Sequence, residues 1–89
     1  SGIIAEKIAM TMVSTGTRAL SIPPTNALHG DLGIVSKGDL VIFLSKSGES
    51  DELLSLIPYV RNKGATPICL VSQKRSRLER ACDFSVYLP

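Results

Sequence analysis

The chain has 89 residues, enough for one small domain whose core is marginal unless something else covers it. Hydrophobic residues make up 44% and charged residues 20%, with a net charge of +2, which excludes an intrinsically disordered chain. The same balance, with no basic stripe interleaved with aromatics, argues against a nucleic-acid partner, and no apolar run is long enough to cross a bilayer.

From Ile3 to Thr15 the spacing is helical, with Ile4, Ile8 and Met12 on one face and Ala5, Ala9 and Val13 beside it. Gly16 is placed to cap that helix. Ala19 to Ile22 reads as a short strand stopped by Pro23 and Pro24. A polar loop, Thr25 to Gly38, follows, with a short helical turn expected around Asn26 to Leu32. Leu40 to Leu44 is a continuous apolar run, the pattern of a parallel strand covered on both faces. Asp51 to Lys63 is helical again, with Leu53, Leu54, Ile57 and Val60 sharing a face and Gly64 at the end. Pro58 inside it removes one backbone hydrogen bond and is expected to bend it. Pro67 to Val71 is another apolar strand, Ser76 to Cys82 a short helix, and Phe84 to Leu88 a mixed strand nearer an edge.

Alternating helices and strands predict a three-layer α/β/α architecture with a parallel, flavodoxin-like sheet and right-handed crossovers. Residues 1–89 form one part of that domain. A unit of this kind opens with a strand, and the expectation is that the first strand precedes Ser1.

Two cysteines, Cys69 and Cys82, lack a CxxC neighbour, and His29 is the single histidine, so a metal or redox cluster has little support. Cys69, inside an apolar run, reads as a small buried hydrophobe, and two such thiols fit a reducing compartment. The basic run Lys74-Arg75-Ser76-Arg77 reads as the solvated start of a helix, with a weak anion or partner contact as the alternative.

The chemistry-bearing stretch is Ser45-Lys46-Ser47-Gly48-Glu49-Ser50, between the most apolar strand and the second main helix. Open parallel sheets bind ligands at the carboxyl ends of their strands. A strand-to-helix turn there aims backbone N–H groups outward at the positive end of the helix dipole. Ser45, Ser47 and Ser50 add hydroxyl donors suited to a phosphate, and Gly48 lets the backbone approach a ligand. A turn with helix-capping serines is the plainer reading. Glu49, Asp51 and Glu52 repel a dianion, and Lys46 offsets them only in part.

This Ser-x-Ser-Gly-Glu-Ser pattern after an apolar strand resembles the phosphosugar loop of the sugar isomerase (SIS) domain family. The run His29-Gly30-Asp31-Leu32-Gly33 is similar to the arabinose 5-phosphate isomerase members of that family. So are Ser1-Gly2 before a helix, Ser14-Thr15-Gly16-Thr17, and the helix ending Arg80-Ala81-Cys82-Asp83. The resemblance implies that Ser45, Ser47 and Ser50 contact phosphate and that Ser1 is a ligand-contacting serine of the first loop. It also implies that Glu52 and His29 lie at the active site. Lys46 stands where bacterial members often have Asn. A family lysine is expected before Ser1, and a further Glu and His after Pro89.

The resemblance implies interconversion of D-ribulose 5-phosphate and D-arabinose 5-phosphate, without cofactor or metal. It further implies a cytoplasmic homo-oligomer, a dimer or tetramer, that serves Kdo and lipopolysaccharide synthesis. Isomerisation through an enediol needs a base, a polar group near the sugar oxygens and exclusion of water. Glu52, one turn into the helix, is the candidate base, with a pKa raised if it is partly desolvated. His29 is the candidate proton shuttle. The plainer readings are a solvated first-turn acid for Glu52 and a turn residue for His29; Asp31 is expected to fix its loop by bonding its own backbone. Two other classes stay open: a sugar-phosphate-sensing domain of a transcriptional regulator, and an unrelated flavodoxin-like nucleotide or signalling domain, for which no G-x-G-x-x-G or Walker pattern is present.

Overall fold

A computed structural model of the chain describes residues 2–14, 16 and 31–89. Ser1, His29 and the strand expected at Ala19–Ile22 lie outside the described residues.

Helix α1 spans Gly2–Ser14. It stops where the Gly16 backbone turns to φ +92° and its N–H bonds the Val13 carbonyl at 3.0 Å, as the sequence predicts. Ala5, Ile8, Ala9 and Met12 are half-buried, whereas Ile4 and Val13 are exposed. The buried stripe is therefore narrower than the apolar one. A 3-10 turn spans Asp31–Ile34; residues 26–30 of the helical turn expected around Asn26–Leu32 lie outside the described residues.

The central unit is β1 (Leu40–Ser45), α2 (Asp51–Asn62), β2 (Thr66–Val71), α3 (Arg77–Ala81) and β3 (Phe84–Tyr87). The strands are parallel in the order β1-β2-β3, with Phe43 opposite Cys69 and Cys69 opposite Ser85. Strands that run the same way need a crossover, and α2 and α3 supply the two. They pack against each other and both against β2.

Parallel β-structure on this scale is held by the face it buries. Val60, Cys69 and Leu78 have no exposed surface, and Phe43, Leu56, Ile57 and Val71 are buried around them. Burying a Val or Leu side chain fully contributes roughly 1.5–3 kcal/mol. Along β2, Pro67, Cys69 and Val71 are buried and Thr66, Ile68 and Leu70 half-buried, so one face of the sheet meets the helices. The other face is less covered than the apolar run predicts: Leu40, Ile42, Phe84 and Val86 are exposed.

Helix α2 ends by a Schellman closure. Ala65 N–H donates to the Val60 carbonyl at 3.2 Å and Gly64 N–H to the Arg61 carbonyl at 3.0 Å. Gly64 adopts φ +81°, which this closure requires and L side chains rarely take. Pro58 lies on the exposed side, and the helix continues through it to Asn62. The β1–α2 and β2–α3 turns lie side by side at the carboxyl end of the sheet because β1 and β2 are adjacent and parallel.

Candidate functional site

The Ser45–Ser50 turn is built on hydrogen bonds that the serines accept. Gly48 N–H donates to Ser45 Oγ at 2.9 Å, Glu49 N–H to Ser47 Oγ at 3.1 Å, and Leu53 N–H to Ser50 Oγ at 3.4 Å. The last of these makes Ser50 the N-cap of α2. A hydroxyl carries one donor and two acceptor lone pairs, so each serine keeps its O–H to give to a ligand. The amides of Gly48, Glu49 and Leu53 are thus used inside the turn. Those of Ser47, Ser50, Asp51 and Glu52 have no acceptor among the described residues. Three hydroxyl donors and the first amides of a twelve-residue helix converge at the end of β1. That is the donor set an anion needs.

Gly48 has a different role from the one its position suggests. It is buried at φ +70°, and a Cβ there would stand 2.1 Å from Ser76 Oγ and 2.4 Å from Ser76 Cβ. The missing side chain makes room for the neighbouring turn, not for a ligand. Ser76, 2% exposed, is the N-cap of α3, accepting from Glu79 N–H at 3.3 Å. Two backbone bonds join the turns further: Ser72 N–H to the Lys46 carbonyl at 3.0 Å and Leu78 N–H to the Gly48 carbonyl at 2.9 Å.

Arg77 completes the junction. Its Nε donates to Glu49 Oε1 at 2.5 Å, its Nη2 to the Glu49 carbonyl and to Asp51 Oδ1 at 2.9 Å each, and its backbone N–H to Glu49 Oε2 at 3.2 Å. The hydrogen bonds from Arg77 hold the Glu49 carboxyl below its ordinary value of 4.5. The basic run is therefore not a merely solvated helix start: Ser76 is buried and Arg77 is engaged with the serine turn. Lys74 is also occupied, its Nζ 4.9 Å from the Tyr87 ring centroid. Sequence reasoning missed this brace. The signal was available in topology, because consecutive turns at the carboxyl ends of neighbouring parallel strands lie side by side.

Glu52, in the first turn of α2, is exposed, so the described chain does not supply the desolvation expected for it. The structure brings Ser45, Ser47, Ser50 and Glu52 together on one turn and the helix that follows it. Ser1 and His29 lie outside the described residues.

A family model described as the SIS domain matches residues 1–89. The chain belongs to the SIS domain family. This SIS domain is 45% identical over 83 residues to "Arabinose 5-phosphate isomerase KdsD" of Yersinia pestis, covering 93% of the chain and 25% of that protein. It is 42% identical over 83 residues to "Arabinose 5-phosphate isomerase KpsF" of Escherichia coli, with the same coverage of both proteins. Among solved structures, E. coli CFT073 c3406 in complex with A5P matches with a TM-score of 0.94 and 45% identity, over 100% of the chain and 47% of that one. The SIS domain thus spans about a quarter of the length of these curated relatives.

Proposed function

We propose that this SIS domain is the phosphosugar-binding part of an aldose–ketose isomerase that interconverts D-ribulose 5-phosphate and D-arabinose 5-phosphate. The observation that carries the proposal is the Ser45–Ser50 turn, where three hydroxyls accept from their own backbone and keep their protons for an anion. The relatives named as arabinose 5-phosphate isomerases favour this reading over a sensing domain of a regulator.

In the proposed reaction, Ser45, Ser47 and Ser50 hold the phosphate and so fix how far the sugar reaches along α2. The Glu52 carboxylate takes the C2 proton of the aldose and returns it to C1, through the enediol. His29 passes the hydroxyl proton between the two sugar oxygens. Ser1 adds a further ligand contact. The exposure of Glu52 in the described chain means that its desolvation must come from the bound sugar and from whatever covers the site.

Assembly into a dimer or tetramer is part of the proposal. The exposed apolar residues Leu40, Ile42, Phe84 and Val86 support it, and sedimentation of the full-length protein as a monomer would remove it. So is a cytoplasmic location, supported by two free thiols, and a place in Kdo and lipopolysaccharide synthesis, which follows from the reading as an arabinose 5-phosphate isomerase.

Turnover of ribulose 5-phosphate by full-length wild type and Glu52→Gln tests the mechanism. We expect wild-type isomerisation and a loss of about 100-fold or more in the variant, the scale of a general base, with arabinose 5-phosphate affinity little changed. Equal turnover removes Glu52 from the chemistry. A wild type that binds the sugar phosphate without converting it supports the regulatory reading instead.

A further inference from the structure

We infer that Arg77 is a positioning residue for sugar-phosphate recognition, acting through Glu49 and Asp51. The inference rests on the proposed phosphate role of the serine turn. That turn has an electrostatic problem: Glu49, Asp51 and Glu52 lie within or directly after it, and a phosphate brings up to two more negative charges to the same place. Like charges this close disfavour binding unless a cation sits among them.

Arg77 is that cation. One guanidinium spans both nearest acids, bonding Glu49 Oε1 at 2.5 Å and Asp51 Oδ1 at 2.9 Å, and also holds the Glu49 carbonyl at 2.9 Å. Arginine suits the task because its fixed fork can meet several acceptors at once. Among the described residues no other cation pairs with Glu49 or Asp51. Lys74 in the same run is over Tyr87.

The exposure of the partners decides what the cluster is for. Glu49, Asp51 and Arg77 side chains are 46%, 87% and 49% exposed, and ion pairs this open to water add little to folding stability. Their effect on a charged ligand beside them is of another kind. The pairing cancels most of the local repulsion. Arg77 thereby sets the field at the turn without touching the ligand.

The test is calorimetric titration of the full-length protein with arabinose 5-phosphate and with arabinose. Three variants are compared with wild type: Arg77→Gln, Arg77→Lys, and the triple variant Arg77→Gln/Glu49→Gln/Asp51→Asn. We expect Arg77→Gln to bind arabinose 5-phosphate about tenfold more weakly, from two uncompensated acids beside the phosphate. Arg77→Lys should recover part of the loss. The triple variant should return to within about threefold of wild type, because the acids that needed neutralising are gone. A merely structural Arg77 would leave the triple variant at least as weak as the single one, and that result overturns the inference. So does Arg77→Gln binding with wild-type affinity while wild type prefers the phosphorylated sugar. A wild type with no preference for arabinose 5-phosphate over arabinose removes the serine-turn reading itself, and this inference with it.

Discussion

Ser45, Ser47 and Ser50 hold the turn with their oxygens and leave their protons free. Each accepts from a backbone N–H nearby in the chain, which fixes its oxygen, and that leaves the proton as the only group still to be placed. The capping-serine reading of the turn was legible in the sequence and is seen in the structure, and the same spacing makes the three serines candidate donors to a ligand. Glu49 was legible only as a repulsive acid, because its partner Arg77 is 28 residues away and no local pattern links them. The hydrogen bonds from Arg77 favour the charged form and keep the folded-state carboxyl below its ordinary value of 4.5. Such a group adds stability above the unfolded value, and that contribution is lost as pH falls through the folded one. Thermal denaturation on either side of pH 4.5 checks this. Because the pair is open to water, wild type should lose only slightly more stability than Glu49→Gln on acidification below that value, and the small gap should close in high salt. Parallel acid slopes for the two proteins would show that the pair contributes nothing.

Elements were the most legible scale. Continuous apolar runs and helical spacing located β1, α2, β2, α3 and β3 to within a residue or two, since each buries a face whose period the sequence must carry. Glycine caps were equally clear at Gly16 and Gly64, where positive φ is needed. Contacts between elements were not legible. Gly48 reads locally as room for a ligand, yet its open side is filled by Ser76 from the next turn. Gly48→Ala would put a methyl group 2.1 Å from Ser76 Oγ on a backbone at φ +70°. Ser76 caps α3 and is buried, so it cannot swing aside. We expect a loss of about 2–4 kcal/mol in urea denaturation, from overpacking together with a left-handed backbone strain. Adding Ser76→Gly should recover part of it by making space. An unchanged urea midpoint for Gly48→Ala would mean that the turns are not locked together.

At the scale of the whole molecule, the sheet has one face closed by α2 and α3 and another that exposes Leu40, Ile42, Phe84 and Val86. The continuous apolar run of β1 was read as a strand buried on both faces; the structure closes only one of them over the described residues. The site follows the same division. Its proposed anion-binding half is a local product of two adjacent strand-to-helix turns, which is why a short sequence suggests it. In the proposed reaction, sugar selection and exclusion of water are assigned to Ser1 and His29, outside the described residues, and to whatever covers Glu52. The account depends on a phosphate resting against the amides and hydroxyls at the end of β1. Hydrogen–deuterium exchange on the full-length protein measures this directly. Arabinose 5-phosphate should slow exchange at the amides of Ser47, Ser50, Asp51 and Glu52, and arabinose at the same concentration should not. Equal protection by both sugars, or protection confined to other segments, would contradict it.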